Sequence, residues 1–391
     1  MNRNLWLLMA VQVLFMIGNM MFLTLAPILG EQLAGTTNLA TLPMAISMLT
    51  MLVFSFPLSL WMGKFGRGPI FSAGLLANII AGILLFTAIQ YQQFSIFLIG
   101  SIFFGISIAC ANFYRFAAME LVHPSKQSLA ISAVMAAGVV AAFIGPNLSS
   151  VTKDLFFDLA FSSSALAYIP ISLAALILVS FIQWPKVKAK ADTTKQPMDL
   201  TGDLWKAILT AALAYGVMVL IMSATPLHMS HQHYEFSDTA WVIQWHVLGM
   251  FAPSFFIGWL VNRLGLMGLI ILGVMVLISS LLVNLFASNK PLLTLGLLLL
   301  GVGWNFTFLG ASQWLVKLSA NQNASKIQGI NEVMVFGSAS IATLSSGWLL
   351  NVFGWTALNV AAMPLLLVLL ILLLSTHVQN ARMNEEPAIE G

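Results

Sequence analysis

Residues 55–66 read SFPLSLWMGKFG and residues 254–265 read SFFIGWLVNRLG. The two stretches lie 199 positions apart, and both run from an apolar segment into a basic, glycine-closed turn. The same offset pairs VMAAG (134–138) with VMVFG (333–337), and a nearly equal offset of 193 pairs Asn112-Phe113 with Asn305-Phe306. Several matches at nearly one offset mean that the chain is two related halves joined in tandem. In membrane carriers that arrangement places a binding site at the interface of the halves, near the bilayer midplane.

Composition identifies the solvent. Of 391 residues, 7% are charged and 59% apolar, against roughly 25% charged in an ordinary soluble domain. Too little charge is present to cover a surface in water, so most of the chain is solvated by lipid. The formal net charge is +3 and the basic residues are scattered singly, which is no footprint for a nucleic acid. Cys110 is the sole cysteine, so no intrachain disulfide is possible. The first apolar stretch, Leu5 to Leu29, is too long for a signal-peptide core of roughly 7–15 residues and is read as a retained span.

Apolar stretches of about 20 residues fall at 5–29, 38–61, 68–90, 94–119, 127–148, 163–184, 205–228, 238–261, 266–287, 291–315, 327–350 and 355–376. The expected fold is therefore an all-α membrane protein of twelve transmembrane helices in two pseudo-symmetric six-helix halves. Residues 1–184 form the first half, 185–204 a polar linker, and 205–391 the second half with a short tail. With the N-terminus inside, Arg3, Lys64, Arg67, Lys126, Lys186, Lys188, Lys190, Lys195, Lys206, Arg263, Lys317, Lys326 and Arg382 all face the cytoplasm. Only Lys153 and Lys290 fall outside, a bias that sets the orientation and puts both termini in the cytoplasm.

These residues resemble the major facilitator superfamily, whose loop between spans 2 and 3 reads G-x-L-A-D-R-x-G-R-R. Here residues 59–68 read SLWMGKFGRG: Lys64, Gly66 and Arg67 match, and Gly63 stands where the aspartate would be. The second copy matches at Gly258, Arg263 and Gly265, with Asn262 for the aspartate. Span 5 carries AAFIGPNLSS (141–150), similar at Gly145 and Pro146 to the G-x-x-x-G-P-x-x-G-G signature of the antiporters. The span-4 arginine of drug antiporters would fall at Ser101, and Arg115 lies about four turns further on. The resemblance implies the twelve-helix fold of a bacterial cytoplasmic (inner) membrane permease, acting as a monomer. It also implies roles in the conformational cycle for Lys64, Gly66, Arg67, Gly145, Pro146, Gly258, Arg263 and Gly265. With both aspartates replaced, the latch between loops and helix ends is weaker or built differently.

The remaining polar residues within spans are the functional candidates. Arg115 shares a helical face with Ser101, Gly105, Ile108, Asn112 and Met119, so it points into the bundle or a watery cavity. The competing reading is an arginine that snorkels to lipid phosphates. Its candidate ion partners are Glu120 and Glu332, and Glu332 is the acidic residue placed clearly inside a span. Protonation of such a carboxylate can be tied to a transport cycle. His246, near the middle of span 8, is the second candidate for proton coupling. The superfamily fold lines its cavity with spans 1, 4, 7 and 10. Carried over, that makes Gln12, Asn19, Asn112, Tyr114, Arg115, Tyr215, Trp304 and Asn305 candidates for contact with substrate. His228, His231 and His233 have spacing compatible with a metal, but a solvated loop is the expected reading, and no metal or other cofactor is expected.

The expected activity is secondary transport of a small organic solute by alternating access, coupled to protons. No G-x-x-x-x-G-K-[ST] loop is present to bring ATP into the cycle. The span-5 signature favours efflux by antiport. Uptake of a vitamin, siderophore or other metabolite is the alternative, and a non-transporting receptor that keeps the fold is a third reading. An enzyme is not expected, since the spans hold no convincing nucleophile or metal set.

Overall fold

The computed structural model describes residues 3–123, 130, 133–134, 137–185, 202–319 and 324–385. Among the described residues the regular elements are all helices. That follows from the solvent: in hydrocarbon no water is available to the backbone, so each N–H and C=O must be paired within its own segment.

Among the described residues the helices fall into twelve successive segments. Spans 1 to 3 are Arg3–Ala34, Leu42–Phe65 and Arg67–Tyr91. Span 4 is broken: Phe94–Ala111 ends, Asn112 and Phe113 form a turn, and Tyr114–Glu120 resumes. The described parts of spans 5 to 7 are Ala137–Thr152, Ser162–Ser180 and Gly202–His231. Span 8 runs Phe236–Phe251, passes through a 3₁₀ turn at Ala252–Phe255 that contains Pro253, and continues into Ile257–Leu285. That helix bends at Gly265 to become span 9; span 10 is Lys290–Leu318. Spans 11 and 12 form one run, Ala324–Glu385, bent at Gly354. Residues 186–201, which hold nearly all of the expected linker, lie outside the described residues, as do Lys126 and the start of span 5.

The repeat explains the two matched turns. Gly66 (φ 87°) and Gly265 (φ 71°) both adopt a left-handed backbone conformation, which costs glycine nothing and other residues a Cβ clash. Packing repeats as well. In the first half span 4 packs on spans 2 and 3, and in the second half span 10 packs on spans 8 and 9. Large apolar side chains such as Phe56, Phe286, Ile341 and Ile371 face outward to lipid. Small residues let helices approach inside: a Cβ on Gly145 would stand 2.5 Å from that of Met20, which locks span 5 against span 1.

The halves touch along one end. Glu31 of span 1 pairs with His231 of span 7 at 2.8 Å, and Asn351 donates to Asn38 at 3.1 Å. Asn147 of span 5 donates to Gln244 of span 8 at 2.8 Å, and Thr343 of span 11 meets the Met48 sulfur at 3.2 Å. The paired loops at Gly66 and Gly265 mark the opposite end.

Candidate functional site

Between the halves lies a cavity of ≈ 240 Å³, at the small end of sites for organic ligands, which run about 300–1,000 Å³. Its two walls differ in chemistry. The first half contributes hydrogen-bonding groups: Gln12 and Asn19 from span 1, and Asn112 and Arg115 from the broken end of span 4. Methionines surround them, with Met16 and Met20 from span 1 and Met44, Met48 and Met51 from span 2. The second half contributes the aromatic rings of Tyr215, Trp304, Phe308 and Phe336, together with Met218, Met222, Met250 and Glu332. Trp304 and Phe308 stack at 5.0 Å and 12°, being one turn apart on span 10. Tyr215 stands edge-on to Trp304, Phe308 and Phe336 at 5.3–5.8 Å.

Two charged residues line the cavity, Arg115 and Glu332. The Arg115 charge acts on Glu332 and on Tyr215. No ion pair closes between them; the described ion pairs are Arg67–Glu120, Lys206–Asp203, His231–Glu31 and Lys290–Asp238. The Arg115 guanidinium lies over the Phe116 ring at 4.8 Å, and its Nε is buried with no hydrogen-bond partner. The helical face expected through Ser101 and Gly105 is interrupted by the turn at Asn112–Phe113. Gly105 instead packs against the Ser47 carbonyl of span 2. Arg115 nonetheless joins Ile108 and Asn112 at the cavity wall.

The sequence pattern of the Major Facilitator Superfamily matches residues 8–343, and again 207–389. The chain belongs to that superfamily. The riboflavin transporter RfnT of Brucella anthropi is 30% identical over 376 residues, 95% of this chain and 94% of its own. An uncharacterized MFS-type transporter of Bacillus subtilis, YddS, is 25% identical over 372 residues. The Escherichia coli fucose:proton symporter FucP has the same fold, with a TM-score of 0.63 at 13% identity over 94% of this chain and 97% of that one.

Not every candidate reaches the superfamily cavity. Tyr114 is 1% exposed and packs edge-on against Phe71 at 4.7 Å, inside the first half. Asn305 turns the other way from Trp304: it donates to the Met250 carbonyl at 2.6 Å and to Ser254 at 2.7 Å, tying span 10 to span 8. His246 is fully buried, with Nδ1 2.8 Å from the Leu297 carbonyl of span 10, and does not line the cavity. Glu120 grips Arg67 through two contacts of 2.6 Å, so it is engaged away from Arg115. The superfamily loop that lost its aspartate at Gly63 thus finds an acid on span 4. In the second copy Arg263 instead covers the Trp259 ring at 4.6 Å, and Lys64 lies over Phe65 at 5.2 Å. Gly258 has open space around it, and Pro146 sits within the span-5 helix beside Gly145.

The three loop histidines separate. His228 stacks on Trp355 at 4.5 Å, His231 binds Glu31, and His233 occupies a left-handed turn position (φ 61°). Among the described residues no group of three His, Cys, Asp or Glu is placed to hold a metal. Sequence reasoning missed the methionine wall. Met16, Met48 and Met51 carry no polar signal, and a Met stripe at helical spacing reads as core.

Proposed function

We propose that the chain carries a planar heteroaromatic solute of the riboflavin type across the bacterial cytoplasmic membrane by alternating access, driven by protons. The observation that carries this reading is the two-walled cavity. A stacked aromatic wall and polarizable methionines suit the faces of a fused ring system. The amide and guanidinium groups opposite suit a polar rim. The riboflavin transporter at 30% identity supports the same chemistry. With the basic loops facing the cytoplasm, the end closed by Glu31–His231 and Asn38–Asn351 is the outer one. The cavity is then poised toward the cytoplasm. The Gly145-Pro146 signature favours export in exchange for protons, and the flux direction in vesicles decides between export and uptake.

Glu332 is assigned the proton, since it lines the cavity and faces Arg115 without an ion pair. His246 is assigned to packing. His246→Gln should leave the ratio of solute accumulated to pH gradient applied unchanged, and lower thermal stability by about 1 kcal/mol through the altered bond to span 10. Loss of coupling at unaltered stability would return His246 to the proton pathway.

The reading is tested with the purified chain in sealed vesicles. Riboflavin fluorescence inside should change with time in the direction set by an imposed pH gradient, and collapse of the gradient should stop net movement. Binding without flux under any gradient would leave a receptor with this fold. Flux indifferent to pH would remove the proton.

A further inference from the structure

Arg115 of the first half and Glu332 of the second are the charged side chains that line the cavity, and the other lining residues are neutral. The two lie close enough for the Arg115 charge to act on Glu332, and both charges act on Tyr215. Yet no carboxylate among the described residues closes on Arg115, whose guanidinium lies over the Phe116 ring instead. Charged groups elsewhere on the elements that build this site are committed or turned away. Glu120 holds Arg67, Glu31 holds His231, Asp203 holds Lys206, and Lys317 is exposed.

The charges can therefore be counted. Arginine keeps its proton in a protein, so Arg115 always brings one positive charge. Glu332 brings one negative charge or none. With Glu332 ionised the cavity is neutral. With Glu332 protonated, as its proton-carrying role requires once in each cycle, Arg115 is left without a counter-charge. A charge among apolar side chains is unfavourable unless it is paired. The rings and methionines of this cavity offer it no anion, so the missing negative charge must arrive with the solute.

We propose that the solute is a monoanion, a planar heteroaromatic bearing one carboxylate, which binds Arg115 while Glu332 is protonated. The planar guanidinium fork matches the two oxygens of a carboxylate, and the Trp304–Phe308 stack receives the ring. One carboxylate restores neutrality; a cation would add to the charge of Arg115. This deepens the riboflavin-type reading and rests on it for the ring, and it rests on Glu332 for the proton. Carboxylate and proton then load the same state and travel together, the opposite sense to the exchange favoured by the Gly145-Pro146 signature.

The experiment is a binding titration on the purified full chain, read by quenching of flavin fluorescence. Lumiflavin, which is neutral, is compared with its N10-carboxymethyl analogue, which keeps the ring and adds one carboxylate. In mildly acid buffer the carboxylate should bind at least about tenfold more tightly, as expected for one hydrogen-bonded charge pair. Its affinity should fall as pH rises, by up to about tenfold per unit for one linked proton, while that of lumiflavin stays level. Glu332→Gln leaves Arg115 without a counter-charge at every pH, so this variant should hold the acid-limit affinity throughout. That is a gain over the wild type in alkaline buffer, which misfolding cannot produce. An indicator dye in weakly buffered solution should report proton uptake when the carboxylate binds. Equal binding of the two flavins in acid, an affinity for the carboxylate indifferent to pH, a Glu332→Gln variant that still weakens with rising pH, or proton release on binding overturns the proposal. If neither flavin binds, quinoline-2-carboxylate is compared with its neutral amide. A pH-dependent preference for that carboxylate sinks the riboflavin-type reading and keeps the monoanion; binding of neither sinks both.

Discussion

Arg115→Lys should insert and fold normally yet transport about tenfold more slowly, and Arg115→Ala should lose roughly 10–150-fold, the equivalent of about 1.5–3 kcal/mol for one hydrogen bond to a charged group. The asymmetry is the point. Lysine keeps the charge but loses the planar fork that offers several N–H groups in fixed directions. In the cavity wall Arg115 has its Nε buried without a partner and its guanidinium plane laid on Phe116. A point charge on a flexible stem reproduces neither. A side chain reaching for lipid phosphate behaves differently, because lysine snorkels as well as arginine does. Initial flux at matched protein content in vesicles is the measurement, and wild-type rates in the lysine variant would leave Arg115 as a membrane anchor.

Glu332→Gln should separate driving force from passage. The amide is nearly isosteric with the carboxyl but cannot take up or release a proton, so the cavity keeps its shape and loses its titratable group. With one proton moved per solute, a gradient of one pH unit supports about tenfold accumulation, and the variant should bring that ratio to one. Exchange of labelled for unlabelled solute, which needs no proton, should persist. Loss of exchange along with accumulation would make Glu332 a binding residue. Retained accumulation would place the proton elsewhere.

Much of the fold is written in the hydropathy of the chain, because the constraint that produces it is local: each span must pair its own backbone. The turns at Gly66 and Gly265 were legible for a related reason, since a repeated glycine at one offset marks a repeated backbone conformation. The cavity was legible only by helix. Knowing that spans 4 and 10 contribute says nothing of which face turns inward. Asn112 and Asn305 sit at matched positions, yet span 4 breaks at Asn112 while span 10 runs straight through Asn305. That break changes what Tyr114 and Arg115 face. His246 looked titratable from its residue type alone, whereas its role depends on the Leu297 carbonyl, 51 positions away. The partners of Glu120 were equally hidden, since Arg67 lies 53 positions from it in sequence.

The short helix Tyr114–Glu120 has a mechanical meaning beyond its side chains. Arg115 stands at one end of it and Glu120 at the other, about 7.5 Å apart along the axis at 1.5 Å per residue. The first lines the cavity between the halves; the second holds Arg67 at the loop between spans 2 and 3. The turn at Asn112–Phe113 keeps right-handed helical dihedrals and bonds back to Ile108 and Cys110, so the segment continues the line of span 4. One short rod thus ties the cavity wall to the loop between spans 2 and 3, and a substitution that kinks it would be felt at both.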